Sequence, residues 1–171
     1  EVMLGMISVG TGNDWARMFN IPADYEGAIQ TIKQQKSFIQ DAGLVNYRKN
    51  GKEWKRYFIN IAGLGFGARV VERSNRMKER GKSGPMLYFY NMFLSLLRYK
   101  SQKADIEIDG TCFASRIFAL NVGIGKYNGG GMIPLPHAVA DDGFYSITLI
   151  KKVGKLNILT NIKRLYNGSI A

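Results

Sequence analysis

The sequence predicts an α+β fold that is rich in β-structure. An apolar run over residues 2–9 leads through a glycine turn into the helical spacing of residues 15–19, an order typical of an α/β layer. Farther along, Asn50-Gly51 and Asp109-Gly110 each separate two runs of alternating residues. These dipeptides are strong hairpin signals, so the middle of the chain is predicted to be antiparallel sheet.

The remaining elements are predicted from the spacing of hydrophobic residues and from the residues that begin or end helices and strands. Asp24 is a good N-cap, and glycines at 63, 65 and 67 punctuate the end of a strand. In chain order we predict a helix over 25–36, strands over 38–47 and 54–62, a helix over 68–78, a helix over 85–99, strands over 104–110 and 113–122, and a strand over 144–150.

The helix over 85–99 is apolar almost all the way round, which predicts burial in the core. The alternative is that part of this helix lines a pocket for acyl chains. The side chains concerned are Tyr88, Phe89, Met92, Phe93 and Leu96. The apolar run itself is too short to span a bilayer.

Composition limits the class of protein. A chain of 171 residues with 46% hydrophobic content can bury one good core. The single Cys112 cannot form an internal disulfide, and His137 is the only histidine, so no zinc site of Cys and His is predicted. We therefore expect a reducing, cytoplasmic setting.

The formal net charge of +11 favours an anionic partner. Nucleic acid, nucleotide phosphates and an acidic membrane surface all qualify. Basic residues cluster over 69–82 and 151–164, although a solvated face is the ordinary explanation of such a run. A nucleic-acid-binding module stays an alternative, but the chain has no RNP motif, zinc knuckle or clear helix-turn-helix.

The stretch GTGND, residues 10–14, is the strongest candidate for chemistry. Gly10 and Gly12 permit positive φ and leave room for a bulky group, and the amides that open the next helix suit a phosphate. A tight turn capped by Asn13 and Asp14 explains the pattern equally well. The stretch is neither a Walker loop nor the dinucleotide motif.

Two later stretches have turn or glycine patterns that ligand sites also use. Glycines crowd residues 123–131, which predicts a loop that bends sharply or lies against a ligand. Asp141-Asp142-Gly143 precedes the last strand, and an Asx-type turn is its usual explanation.

Three stretches resemble the diacylglycerol kinase and sphingosine kinase superfamily, in particular its bacterial lipid kinase branch. They are GTGNDWAR (10–17), FINIAGLGFGARVVE (58–72) and GGGMIPLPHAVADDGFYSITLI (129–150), in the family's order. The resemblance implies a two-lobed NAD kinase/diacylglycerol kinase-like fold. Residues 1–35 would end the α/β nucleotide-binding lobe, and residues 36–171 would form the antiparallel β-sandwich lobe.

The family's GGDGT nucleotide motif is expected upstream of Glu1 and is absent here, so we expect a fragment that is inactive alone. The implied reaction transfers the γ-phosphoryl group of ATP to the hydroxyl of diacylglycerol or a related lipid alcohol. Mg²⁺ is expected with ATP, and no metal ligand is assigned. A NAD kinase-like phosphotransferase is the alternative enzyme.

The resemblance also implies roles for residues. Asp142 is the first choice for the general base and Asp141 the second, while Asp14 organises the phosphate-metal network. The implied phosphate-binding residues are Gly10, Thr11, Gly12, Asn13 and Arg17, and the implied cleft residues are Asn60, Gly65, Gly129, Gly130 and Gly131. The expected partners are a lipid alcohol and an anionic membrane surface, bound peripherally, with no nucleic acid.

Overall fold

The computed structural model describes residues 2–10, 12–81 and 84–169, with the backbone alone at Pro85, Tyr88 and Phe89. The elements in chain order are α1 (Asp14–Met18), α2 (Tyr25–Lys33), β1 (Gly43–Lys49), β2 (Lys52–Phe58), β3 (Ile61–Gly65), α3 (Phe66–Glu79), α4 (Pro85–Arg98), β4 (Gln102–Ile108), β5 (Thr111–Gly123), β6 (Ser146–Lys151), α5 (Lys155–Thr160) and α6 (Ile162–Tyr166).

Contacts divide the chain into two compact units that alternate along the sequence. Unit 1 comprises Glu1–Ala62, Val122–Ser146 and Arg164–Ala171, and unit 2 comprises Gly63–Asn121 and Ile147–Lys163. The lobe boundary expected at residue 35 is a different division, which these contacts do not test, and it stays a prediction.

The first predicted hairpin is confirmed in unit 1. Strands β1 and β2 pair antiparallel, and Lys49 lies opposite Lys52 at the turn. Asn50 and Gly51 both have positive φ, 52° and 74°, as a two-residue type I′ turn requires. The local sequence therefore determines both the turn and the strand register.

The second predicted hairpin is also confirmed. Strands β4 and β5 pair antiparallel, joined by Asp109 and Gly110 with φ of 49° and 78°. The sheet has the order β3-β5-β4, and β6 also pairs with β5. The long strand β5 is thus the centre of a four-stranded sheet.

Three strand predictions are wrong in whole or in part, and the strand predicted over 38–47 begins only at Gly43. Residues 2–9 form no strand, and Val2 and Val9 are more than four-fifths exposed. A strand needs a neighbour for its backbone hydrogen bonds, and no described strand pairs with this run. The predicted strand over 54–62 is interrupted after Phe58, because the carbonyl of Asn60 accepts hydrogen bonds from another segment.

Helix α2 forms where Asp24 predicts it. The carboxylate of Asp24 accepts a hydrogen bond of 2.7 Å from the backbone nitrogen of Gly27, and Ala28 is buried. The helix ends at Lys33, and Gln35 has a φ of 52°, which stops the helix before residue 36.

The core of unit 2 is formed by α4 and β5. Leu96, Phe118 and Ala119 are buried, and the rings of Phe66 and Phe118 stack with centroids 4.8 Å apart. Tyr99 meets the Phe118 ring edge-on. This cluster joins helices α3 and α4 to the sheet.

The prediction that α4 is buried in the core is correct for one face of the helix and wrong for the other. Leu96 and Asn91 are buried, but the opposite face is exposed, because the described neighbours of α4 cover only one side. The exposed side chains are Met86, Tyr90, Phe93 and Leu97. Of the predicted acyl-pocket residues, Met92 is half-buried, whereas the side chains of Tyr88 and Phe89 lie outside the described residues. Among the described helices, none combines the length and apolar content needed to cross a membrane.

Candidate functional site

The candidate site in unit 1 begins at the start of α1. Asn13 precedes the helix in the left-handed conformation, with φ of 48° and ψ of 31°, and its side chain makes no capping hydrogen bond within the described part of the chain. Asp14 is the first helical residue. The capped-turn interpretation is therefore wrong, since the Asn13 side chain does not cap α1 and the Asp14 carboxylate faces a different segment.

That segment is the glycine loop, residues 128–132. Asp14 accepts hydrogen bonds from the backbone nitrogens of Gly130 at 2.9 Å and Gly131 at 2.7 Å, one to each carboxylate oxygen. Gly129, Gly130 and Gly131 all have positive φ, from 64° to 100°, so only glycine adopts this run without strain. The loop closes where the Asn128 nitrogen donates to the Met132 carbonyl at 2.9 Å.

Arg17 adds a positive charge to the same place. Its guanidinium lies 3.5 Å from Asp14 Oδ1 and 5.9 Å from the centre of the Tyr127 ring, a cation-π distance. A Cβ at Gly131 would overlap Arg17 Nη1. The glycine therefore makes room for the cation as well as for the turn.

Asn60 joins a third segment to residues 124–127, directly before this loop. Its carbonyl accepts from the nitrogens of Ile124 at 3.0 Å and Gly125 at 3.2 Å, and its Nδ2 donates to the Tyr127 carbonyl at 3.0 Å. Asn60 Oδ1 is buried and finds no hydrogen-bond partner among the described residues. A Cβ at Gly125 would overlap this oxygen, so Gly125 must be glycine for the arrangement to form.

Asp41, which the sequence did not single out, holds the turn that carries the candidate bases Asp141 and Asp142. Asp41 accepts a hydrogen bond of 2.8 Å from the Gly143 nitrogen through Oδ2, and its own nitrogen donates to the Ala140 carbonyl at 2.8 Å. Asp41 and Gly143 are 102 positions apart, so no spacing pattern could have linked them.

Asp141 and Asp142 are both exposed. Asp142 Oδ1 accepts from the Phe144 nitrogen at 3.0 Å, which is the Asx-type turn expected of Asp-Asp-Gly. Within the described chain this is the only hydrogen bond to the Asp142 carboxylate, so the group keeps acceptor capacity toward solvent.

The remaining predicted site residues are Gly10, Thr11, Gly12 and Gly65. Gly10 is exposed and Gly12 half-buried, and a Cβ at either would meet its nearest atom only at 3.7 or 3.8 Å, so both positions have room. Gly65 lies in unit 2, where a Cβ would meet the Phe118 carbonyl oxygen, and this favours close packing on β5. Thr11 lies outside the described residues.

The described residues gather no cluster of metal-ligating side chains. No three His, Cys, Asp or Glu side chains among them gather to hold a metal ion. Both carboxylate oxygens of Asp14 already accept backbone amides. The donor set therefore fits a loop-organising role better than metal coordination.

Comparison with known proteins gives two family matches along the chain. The YegS C-terminal NAD kinase beta sandwich-like domain matches residues 60–171, and the diacylglycerol kinase catalytic domain matches residues 1–45. The diacylglycerol kinases of Staphylococcus aureus strains JH9 and Newman are 31% identical over 151 residues, which is 87% of this chain and 44% of each relative. The chain thus spans less than half the length of these curated relatives.

Two solved structures are similar to this chain. A diacylglycerol kinase from Bacillus anthracis strain Sterne superposes with a TM-score of 0.53 at 26% identity, covering 91% of this chain and 47% of that one. A candidate diacylglycerol kinase of the same strain gives a TM-score of 0.61 at 22% identity, covering 97% and 52%, and this likeness concerns the fold alone.

These matches confirm the α+β fold with antiparallel sheets and the resemblance carried by the three stretches. The chain belongs to the family of the YegS C-terminal NAD kinase beta sandwich-like domain, and its residues 1–45 match the diacylglycerol kinase catalytic domain.

Proposed function

We propose that the whole protein is an ATP-dependent lipid kinase that phosphorylates the hydroxyl of diacylglycerol or a related lipid alcohol. One observation carries the proposal beyond the family match. Asp14 hydrogen-bonds Gly130 and Gly131, and Asn60 hydrogen-bonds the Tyr127 carbonyl of the same region. Two of the stretches that carry the family resemblance, 10–17 and 129–150, are thereby bonded directly, and the third, 58–72, is bonded to Tyr127, two residues before the stretch 129–150 and beside Arg17.

The proposed chemistry needs few side chains. Asp142 takes the proton of the lipid hydroxyl while that oxygen bonds to the γ-phosphorus, and the bond from the γ-phosphorus to the bridging oxygen of ADP breaks. An exposed carboxylate with one hydrogen bond to Phe144 supports this role, because it can still accept a proton. Asp141, also exposed, is the second choice.

Phosphoryl transfer otherwise depends on positioning and charge neutralisation. Asp14 supports the proposed role of organiser by fixing the glycine loop, and Arg17 brings a cation beside it. We propose that phosphate is held by Gly10, Thr11, Gly12, Asn13 and Arg17, with Asn60, Gly129, Gly130 and Gly131 lining the cleft; Gly65 is kept as a weaker candidate. Mg²⁺ would arrive with ATP, coordinated by phosphate and water oxygens.

A lipid kinase of this kind works at a membrane surface. We propose peripheral binding of a cytoplasmic protein to an anionic bilayer. The exposed apolar face of α4 (Met86, Tyr90, Phe93 and Leu97) and the net charge of +11 support this partner. Each basic residue near such a surface contributes about 1 kcal/mol.

The test is phosphorylation by the full-length protein of a lipid panel presented in anionic vesicles with ATP. We expect product from a lipid alcohol, near loss of turnover in Asp142→Asn, and ordinary turnover in Asp105→Asn, an exposed aspartate on β4. Full activity in Asp142→Asn would show that Asp142 is not the general base. Phosphorylation of NAD, or salt-sensitive retention on nucleic acid, with no lipid product would overturn the proposal.

A further inference from the structure

A basic groove lies wholly within unit 2, between α3, α4 and the start of β4. Its volume is about 410 Å³, within the size range of small-ligand pockets. Five basic side chains and one acidic side chain line it, namely Arg69, Arg73, Arg76, Arg98, Lys100 and Glu72. The lining therefore carries a clear excess of positive charge.

The spacing of α3 creates this concentration. Arg69, Arg73 and Arg76 recur at intervals of four and three positions, so they share one helix face, and Glu72 lies three positions after Arg69 and four before Arg76. Glu72 bridges Arg69 at 3.0 Å and Arg76 at 2.7 Å. One carboxylate cannot neutralise the arginines around it, and most of the positive charge stays available to a ligand.

Arg73 is held in place from the core side. Its Nε donates to Oδ1 of Asn91 at 2.8 Å, and Asn91 is only 1% exposed. Asn91 is a buried polar residue on a mostly apolar helix. This bond fixes the plane of the Arg73 guanidinium and leaves its two terminal nitrogens as further donors.

Tyr99, which also lines the groove, supplies an unused hydroxyl. This hydroxyl is buried and has no hydrogen-bond partner among the described residues. Burial raises the pKa of Tyr99, although the charge of Arg69 opposes the shift, so the hydroxyl stays protonated at neutral pH. A buried polar group without a partner costs free energy.

We propose that this groove binds a phosphate monoester through the guanidinium groups of Arg69, Arg73, Arg76 and Arg98. Guanidinium matches phosphate oxygens in a two-pronged geometry, and several such groups favour the dianionic monoester over a singly charged diester. The monoester is either the headgroup of a phosphorylated lipid or a soluble phosphate ester.

The test measures binding to the full chain, without any activity readout, so it is independent of the proposed kinase reaction. The soluble probe is glycerol 3-phosphate. The lipid probe is phosphatidylcholine vesicles containing phosphatidic acid, compared with vesicles in which phosphatidylglycerol gives the same surface charge. The groove variant is Arg69→Gln with Arg98→Gln, and the matched control is Lys52→Gln with Lys55→Gln, exposed on β2.

We expect tighter binding to phosphatidic acid than to phosphatidylglycerol, and at least about tenfold weaker binding by the groove variant, since a charge-assisted hydrogen bond is lost at each position. The control should bind as the unchanged chain does. If the groove variant loses binding to both probes, the site also accepts soluble phosphate esters. If it loses binding to the vesicles alone, the ligand is a lipid headgroup. Equal weakening in the two variants, or no preference for the monoester lipid, would overturn the proposal.

Discussion

The carboxylate of Asp14 accepts the backbone N–H of Gly131 at 2.7 Å, which ties the start of α1 to the glycine loop. Its other oxygen accepts from Gly130. Hydrogen bonds to an ionised carboxylate are about twice as strong as those between neutral groups. Asp14 therefore holds the loop in a conformation that its three consecutive positive φ angles make costly for any residue other than glycine.

Asp14→Asn should destabilise unit 1. The amide keeps one acceptor oxygen and brings an N–H₂ group against a backbone N–H, so we expect a loss of about 1–3 kcal/mol in the free energy of unfolding. Urea denaturation gives the value, and hydrogen exchange should accelerate at Gly130 and Gly131. Asp105→Asn is the matched control, and equal stability of the two variants would contradict the role of Asp14.

Asp41 should act as a positioning residue in the full-length enzyme. Asp41→Ala removes the acceptor for Gly143 and frees the turn that carries Asp142. We expect kcat to fall roughly tenfold with little change in KM, because the side chain orients the candidate base without touching the lipid. Asp41→Asn, which can still accept that hydrogen bond, should recover most of the rate. Equal losses in both variants would count against this explanation.

Alanine substitution at two glycines should change the stability of the protein in opposite directions. Gly125→Ala places a methyl group against the fixed amide of Asn60, and we expect a loss of about 1–3 kcal/mol in stability. Gly67→Ala lies in α3, where an added Cβ meets no atom within 4 Å, and helix propensity predicts a gain of up to about 1 kcal/mol. Urea denaturation of both variants compares the signs directly.

Acid should weaken the Glu72 cluster. The hydrogen bond from Arg69 and the charge of Arg76 hold the pKa of Glu72 below its ordinary value of 4.5. The ion pairs thus contribute above pH 4.5 and are lost as pH falls through the lowered pKa. NMR titration of the Glu72 carboxyl should show a midpoint below 4.5 that moves back toward 4.5 in Arg69→Gln. A midpoint unchanged by that substitution would contradict the assignment.

Features that depend on neighbouring residues were predictable from the sequence. Asn50-Gly51 and Asp109-Gly110 determine their hairpins because a two-residue turn also determines the strand register. Asp24 caps α2 through a bond to Gly27, three positions away. In these cases the cause and the structure lie within one short window of sequence.

Features that depend on distant partners were not predictable. The apolar run over residues 2–9 has the composition of a strand, but composition does not reveal whether a pairing neighbour exists. The resemblance singled out Asp14 and the glycine loop, yet nothing in the sequence indicated that they bond directly. Asp41 had no signal at all, because its partner Gly143 lies 102 positions away.

The bonds from Gly130 and Gly131 to Asp14 span 116 and 117 positions, whereas each hairpin closes over two residues. Hairpins form in about 1–10 μs, but a contact between distant residues must first offset the entropy of closing the chain between them. During synthesis, Asp14 leaves the ribosome well before Gly131 is made. The candidate site should consequently mature last, after both hairpins have formed on the growing chain.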